Sequence, residues 1–204
     1  MYWSDNKNIV DPSQLLQCVQ ERFKQFRGRD QQDAQEVLMC MLEMFDQTLV
    51  KQVFMGQTVQ ETMCASGKSH VTQDFYSIVV YVEKPCTMQE ALDKYHEYTT
   101  IEEYVDAKGV THNYSVSRTL FHQVPRIFIM SFQNRHPIKV SHKLRLSPGV
   151  DKTLFALIVH QGSQNGGHYT SYTNHCGTWY YKDDLQVTTT DPPEVDHYYL
   201  ALYK

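Results

Sequence analysis

Residues 154–184 read LFALIVHQGSQNGGHYTSYTNHCGTWYYKDD, and their reading decides the fold. The opening run, residues 154–160, is aliphatic and suits a strand, as do residues 169–173 and 178–182. Between them, Asn174, His175, Cys176 and Gly177 mark a turn. A hairpin through that turn returns Asp183 and Asp184 beside the strand that begins at His168. A carboxylate next to an imidazole fixes its tautomer and stabilises the imidazolium, and a general base with an orienting acid is most of a nucleophilic triad. Gly166 and Gly167, just before the histidine, let another backbone approach closely. On spacing alone, one His and one Asp on neighbouring strands are usually an ordinary surface or interface pair, and the two glycines a hairpin turn.

Further strands flank this stretch: HNYSVSRTL (112–120), PRIFIMSF (125–132), IKVSHKLRL (138–146) and, at the end, HYYLALYK (197–204). VTQDFYSIVVYV (71–82) reads as one strand of mixed exposure. Thr87 and Glu90 form a capping box that opens the short helix MQEALDKYHEY (88–98). The first fifty residues have a different period. DPSQLLQCVQERFKQF (11–26) has Asp11 as cap and Pro12 at the first helical position, with Leu15, Val19, Phe23 and Phe26 on one face; Arg27, Gly28 and Arg29 end it. DQQDAQEVLMCMLEMFDQTLV (30–50) puts Ala34, Val37, Leu38, Met41, Leu42, Phe45 and Leu49 on one stripe, with Asp30 as the candidate cap. Helices over 1–50 followed by strands over 51–204 predict an α+β fold with an antiparallel sheet in the C-terminal half.

The bulk properties exclude several classes. A net charge of −4, with no basic run longer than two residues, argues against a nucleic-acid binder. The longest apolar run, LFALIV, is far short of the roughly 20 residues a membrane span needs, and MYWSDNKNIV at the start has no secretory pattern. Five widely spaced cysteines without a C-x-x-C predict reduced thiols and an intracellular chain, in cytoplasm or nucleus.

Several ordered motifs together resemble the ubiquitin-specific proteases, a papain-like family of cysteine deubiquitinases. His160-x-Gly162, then Gly167-His168-Tyr169-Thr170-x-Tyr172, then Trp179-Tyr180-Tyr181-Lys182-Asp183-Asp184 is similar to the family's His box. RDQQDAQEVLMCMLEMFDQTL (29–49) resembles its Q-Q-D-A-x-E-F-L helix. VTQDFYSIVVYVEKPCTMQEALDKY (71–95) and VPRIFIMSFQNR (124–135) follow in the family's order. The resemblance implies a partial catalytic domain over residues 1–204: a helical thumb portion at 1–50, then a palm and fingers sheet. It implies His168 as base, Asp183 as the residue orienting it and Asp184 as the acid beside them. It makes Gln31, Gln32, Asp33 and Glu36 a polar helix segment near bound ubiquitin. Gly166, Gly167 and Tyr169 become substrate-binding residues, the glycines leaving room for ubiquitin's narrow Gly-Gly tail. The implied activity is thiol-dependent isopeptide hydrolysis, with ubiquitin or a ubiquitinated protein as partner and no cofactor.

The departures matter as much. The family's nucleophile box, G-N-T-C-Y-x-N, has no counterpart within these 204 residues. Cys18 and Cys40 read as small hydrophobes, Cys64 and Cys86 occupy loop-like positions, and Cys176 falls on a turn far from His168. The chain alone is therefore expected to be inactive, the alternative being a ubiquitin-binding pseudo-deubiquitinase or scaffold. Apolar faces left uncovered without that segment predict marginal stability, or a partner chain over them. Many family members hold a structural zinc with two C-x-x-C pairs; here the first is CASG (64–67) and the second region, EEYVDAKGVTHNY (102–114), has no cysteine. One thiol does not make a closed four-ligand site, so no zinc is expected. Lys182 stands where the family has Phe, and SFQNRH (131–136) replaces its L-K-R-F.

Overall fold

The computed structural model describes residues 12–28, 30–134, 136–163, 166–195 and 198–204. Asp11, Arg29, Arg135, Asn165 and His197 lie outside the described residues, and with them the cap read at Asp11. The chain forms two compact units, Met1–Gln47 and Thr48–Lys204.

In the first unit, α1 (Ser13–Arg22) ends at Phe23, whose extended backbone (φ −117°, ψ 104°) breaks the run expected through Phe26; a single 3-10 turn, Lys24–Phe26, follows. The break is stable because the open carbonyls of the last helical turn find donors. Arg27 donates through Nε to the Gln20 carbonyl (2.6 Å) and through Nη2 to that of Glu21 (2.9 Å), and the Gln20 amide donates to the Phe26 carbonyl (3.0 Å). α2 (Ala34–Met44) is capped by Asp33, not Asp30: its Oδ1 accepts the Glu36 N–H at 2.9 Å. The long helix read over 30–50 is in fact two. Phe45 is extended (φ −77°, ψ 169°), and the Gln47 amide donates to the carbonyls of Leu42, Glu43 and Phe45, which a continuous helix would have consumed.

The larger unit begins with the rest of α3 (Gln47–Phe54). Then come β1 (Gly56–Cys64), β2 (Gly67–Phe75), β3 (Ile78–Val82), β4 (Cys86–Thr87), α4 (Met88–Tyr95), β5 (Thr99–Ile101), β6 (Tyr104–Val105), β7 (Thr111–His112) and β8 (Ser115–Gln123). After these follow β9 (Phe128–Asn134), β10 (Ile138–Lys139), β11 (Lys143–Ser147), β12 (Val150–Ser163), β13 (Gly166–His175), β14 (Thr178–Asp183), β15 (Gln186–Thr190) and β16 (Leu200–Tyr203). A four-stranded sheet has the order β2-β1-β8-β5; an eight-stranded sheet has the order β15-β14-β13-β12-β16-β9-β3, with β11 also on β12. The strand expected over 71–82 is split, its first part closing the small sheet and its second part lying in the large one.

The α+β architecture with antiparallel sheets is the expected one. β3 and β9 add a parallel pair, as do the short β4 and β10. Parallel neighbours need a long crossover, and the whole excursion from β4 to β8 supplies it between β3 and β9. The core lies on the large sheet: Leu157, Ala201, Phe128, Met130 and Tyr203 are fully buried, with Met88 and Leu92 of α4 packed against them. α4 is aimed there by its capping box, in which Thr87 Oγ1 accepts the Glu90 N–H (3.1 Å) and Glu90 accepts the Thr87 N–H (2.7 Å). The Tyr203 hydroxyl, buried beneath this helix, donates to the Ser141 carbonyl at 2.9 Å. No helix among the described residues is long and apolar enough to cross a membrane.

Candidate active site

β12, β13 and β14 bring the sequence-predicted pair together. β13 and β14 pair from His175 opposite Thr178 to Ser171 opposite Lys182, with Tyr172 facing Tyr181. Side chains alternate along a strand, so His168, Thr170 and Tyr172 share a face with Tyr181 and Asp183. Thr170 on this face is buried, and its neighbour Val159 across β12 belongs to the core. His168 and Asp183 therefore stand where the core face of the sheet reaches solvent, with side chains 47% and 37% exposed.

His168 Nε2 meets Asp183 Oδ1 at 2.6 Å. With Asp183 accepting, Nε2 carries the proton, and Nδ1 is the nitrogen left to act as base. The Tyr181 hydroxyl reaches the other Asp183 oxygen, Oδ2, at a long 3.5 Å. Asp184, at φ +48°, begins the tight turn into β15, and its carboxylate joins those of the pair: one donor atom each of His168, Asp183 and Asp184 lies within 4.8 Å of the others. The hydrogen bond that His168 donates to Asp183 holds its imidazole above the ordinary value; desolvation opposes it, and the charges of Asp183 and Asp184 add smaller raising effects.

The glycines have a concrete task. Gly162 faces Gly167 across β12 and β13, and a Cβ at Gly167 would run into the His160 ring and come within 2.6 Å of the Gln161 carbonyl. Gly162 has φ +141°, and a Cβ there would meet the Gly166 carbonyl and Gly167 Cα. The close approach foreseen beside the histidine is thus made by the neighbouring strand of the same chain. Tyr169 pairs with His160 in register; their ring centroids are 4.5 Å apart, and Tyr199 lies 5.5 Å from Tyr169. By alternation this aromatic group is on the face opposite His168.

The remaining sequence-predicted residues lie in the helical unit. Asp33 caps α2, Glu36 accepts from the Gln25 amide (3.4 Å), and Gln32 donates to the Gln25 carbonyl (3.1 Å), joining the 3-10 turn to the start of α2; Gln31 directly precedes this pair. His160 and Tyr181 stand in the sequence motif without an assigned role, although the period-two alternation through Gly162 and Asp183 places both.

All five cysteines are free thiols. Among those of the larger unit none bonds to His168: Cys64 lies at the β1–β2 turn, Cys86 in β4, and Cys176 at the tip of the β13–β14 hairpin, its Sγ 3.6 Å from His175 Nε2. At about 3.3 Å per residue along β13, that tip is far from the His168 end. Burial pushes the Cys86 thiol up, and burial together with Glu36 and Glu43 does the same to Cys40, so neither tends toward the thiolate.

Comparison with known proteins agrees with the fold. A family model described as ubiquitin carboxyl-terminal hydrolase matches residues 1–203. Ubiquitin carboxyl-terminal hydrolase 17-like protein C of Mus musculus is 24% identical over 243 residues, covering 98% of this chain and 43% of the relative. Ubiquitin carboxyl-terminal hydrolase 3 of Homo sapiens is 49% identical over 43 residues, 21% of this chain and 8% of the relative. The probable ubiquitin carboxyl-terminal hydrolase 8 of Schizosaccharomyces pombe is 20% identical over 236 residues, all of this chain and 52% of the relative. Among solved structures, Ubp8 of the SAGA DUB module with Sgf11, Sus1 and Sgf73, bound to ubiquitin aldehyde, superposes with a TM-score of 0.83 at 17% identity, over 93% of this chain and 52% of that one. The chain spans about half, or less, of the length of these full-length relatives. The match over nearly every residue, the shared fold and the paired His168 and Asp183 lead to one conclusion: this chain belongs to the ubiquitin carboxyl-terminal hydrolase family, among the ubiquitin-specific proteases.

Proposed function

We propose that this chain carries the base and orienting acid of a cysteine-type deubiquitinase, and that a thiol from a segment beyond these 204 residues completes the site. The observation that carries the reading is the 2.6 Å contact from His168 Nε2 to Asp183 Oδ1, on the solvent-reaching edge of the core face. His168 Nδ1 takes the thiol proton, and the thiolate attacks the carbonyl of ubiquitin's C-terminal glycine at the isopeptide bond. The imidazolium, stabilised by Asp183 and by the field of Asp184, returns the proton to the departing lysine amine. A water, deprotonated by the same imidazole, then hydrolyses the acyl-enzyme. Gly166 and Gly167 bring no side chain to the approach to His168 and so leave room for a narrow Gly-Gly tail. Tyr169 contributes by stacking on His160 and so bracing this strand, and Gln31, Gln32, Asp33 and Glu36 form the ubiquitin-facing edge of the helical unit. No metal or organic cofactor takes part in this chemistry. The setting is a reducing compartment, cytoplasm or nucleus, consistent with five free thiols.

A second reading, a ubiquitin-binding module without turnover, is favoured by one specific observation: no thiol of the larger unit contacts His168, and no nucleophile box occurs in the sequence. On either reading a partner chain covers apolar surface of the helical unit, as Ubp8 works within a module of several chains. A ubiquitin probe with a thiol-reactive C-terminus separates the readings. The 204-residue chain should bind ubiquitin without being labelled. A longer native product should be labelled at its own cysteine, with labelling slowed by His168→Ala, if the enzyme reading holds; binding without labelling there selects the module. A folded chain that neither binds nor is labelled overturns both.

A further inference from the structure

The small sheet has an open edge. β2 ends the order β2-β1-β8-β5, and among the described residues no strand pairs with its outer side. The strand is long for an open edge: nine residues, Gly67–Phe75, run in unbroken register with β1. Every residue from His70 to Asp74 is exposed, the apolar Val71 to 59%. No proline or bulge interrupts the strand, and both are usual defences of such an edge. Its two charges, Lys68 and Asp74, are of opposite sign and stand near opposite ends. The ends themselves are tied down. The Ser66 hydroxyl lies 3.1 Å from Cys64 Sγ, 2.8 Å from Asp106 Oδ2 and 3.2 Å from His112 Nε2, which joins the β1–β2 turn to the β6–β7 hairpin. At the other end the Gln57 amide donates to Asp74 Oδ1 at 2.8 Å. In a two-residue hairpin the flanking pair, here Cys64 and Gly67, is the hydrogen-bonded one. Alternation from that pair turns the N–H and C=O groups of Lys68, His70, Thr72 and Asp74 away from β1.

We propose that β2 is a self-association edge, which pairs antiparallel with β2 of a second copy of this chain about a twofold axis at Val71. In that register Lys68 stands opposite Asp74 of the second copy, Ser69 opposite its Gln73 and His70 opposite its Thr72. All four residues whose backbone groups point outward then face another of the four, so the ladder is complete along the strand. A displacement by two residues leaves one of the four without a partner, and a displacement by one sets outward groups against inward ones. Charge selects the same register. The Lys68–Asp74 pairing occurs twice across the axis, and opposite charges directly across a ladder stabilise it. Lys68 has no ion pair among the described residues, and the Gln57 amide takes only one oxygen of Asp74. On the other face Val71 meets its twin at a non-hydrogen-bonded position, where side chains come closest, and its exposed surface is covered. A second copy supplies these partners in the required order by symmetry, and two four-stranded sheets become one. β15, at an edge of the large sheet, is exposed as well, but its five residues are uncharged and set no register. The pairing is independent of the chemistry at His168, which lies in the large sheet.

Sedimentation equilibrium of the 204-residue chain, carried into the high micromolar range, tests this directly. A monomer–dimer equilibrium is expected. Thr72→Pro removes an outward N–H and leaves the bonds to β1 in place, so it should keep the fold, read by circular dichroism, and weaken the dimer at least about tenfold. Lys68→Asp and Asp74→Lys should each weaken the dimer about tenfold, and the two together should restore it. A chain that stays monomeric throughout overturns the proposal. So does a dimer that Thr72→Pro leaves unchanged, since it then forms through another surface. Should Thr72→Pro fail to fold, the charge swap decides the matter; a double variant that dimerises no better than the single ones overturns the pairing.

Discussion

The two compact units of this chain bury their apolar residues to very different degrees. In the larger unit the residues facing the large sheet are sealed: Leu157, Phe128, Met130, Leu200 and Tyr203 have no exposed surface. In the helical unit only Val19, Phe26 and Leu42 are buried among the described residues, while Leu15, Leu16 and Phe45 lie on the surface. The helices are nonetheless locally well built, with a capped start at Asp33 and carbonyls satisfied by Arg27 and Gln47. The difference teaches that local hydrogen bonding shapes a helix, whereas burial decides what holds it in place. The sheet unit carries its own core; the helical unit has stripes that look for a surface to cover them.

The largest test of this contrast is truncation of matched leucines. Leu157→Ala should cost about 2–5 kcal/mol, read by denaturant unfolding, whereas Leu16→Ala should stay within about 0.5 kcal/mol. Equal losses would mean that α1 is covered in solution and that the contrast is false. A medium effect is expected at the strand crossing behind His168. Gly167→Ala should destabilise the chain by about 1–3 kcal/mol, because the added methyl meets the His160 ring and the Gln161 carbonyl. His160→Ala should restore part of that loss, since only the backbone half of the clash remains; no restoration would remove His160 from the account.

The smallest effect is electrostatic. The native His168 imidazole is held above its unfolded value by Asp183, so the folded state binds this proton more tightly. Its contribution is complete below the unfolded value, near 6.5, and fades as pH rises through the raised native value. The exposed position keeps the amplitude small. His168→Gln should flatten that part of the stability profile, and an imidazole titration by NMR should move down toward the ordinary value in Asp183→Asn.

Much of the site was legible because it depends on short-range geometry. Once the turn at residues 174–177 is read, the β13–β14 register follows, and parity puts His168 and Asp183 on one face. The capping box at Thr87 and Glu90 is equally local. The same parity sends Tyr169 to the opposite face, a consequence the motif reading did not draw. Boundaries were less legible where side chains compete with the helix. Asp33 and Asp30 are both plausible caps three residues apart, and only the donors that Arg27 and Gln47 bring to open carbonyls settle where α1 and α2 stop.

The amino-acid sequence alone determined the class of fold, the family's order of motifs, and the meeting of an imidazole with a carboxylate, because periodicity and hairpin register act between residues close along the chain. Only the tertiary structure decided the parallel pairing of β3 with β9, the crossing in which Gly162 and Gly167 let His160 lie against the His168 strand, and the gathering of Cys64 with Asp106 and His112. β3 and β9 lie far apart in the sequence, where no hairpin register acts, and the glycine crossing depends on a close backbone approach that residue spacing does not display.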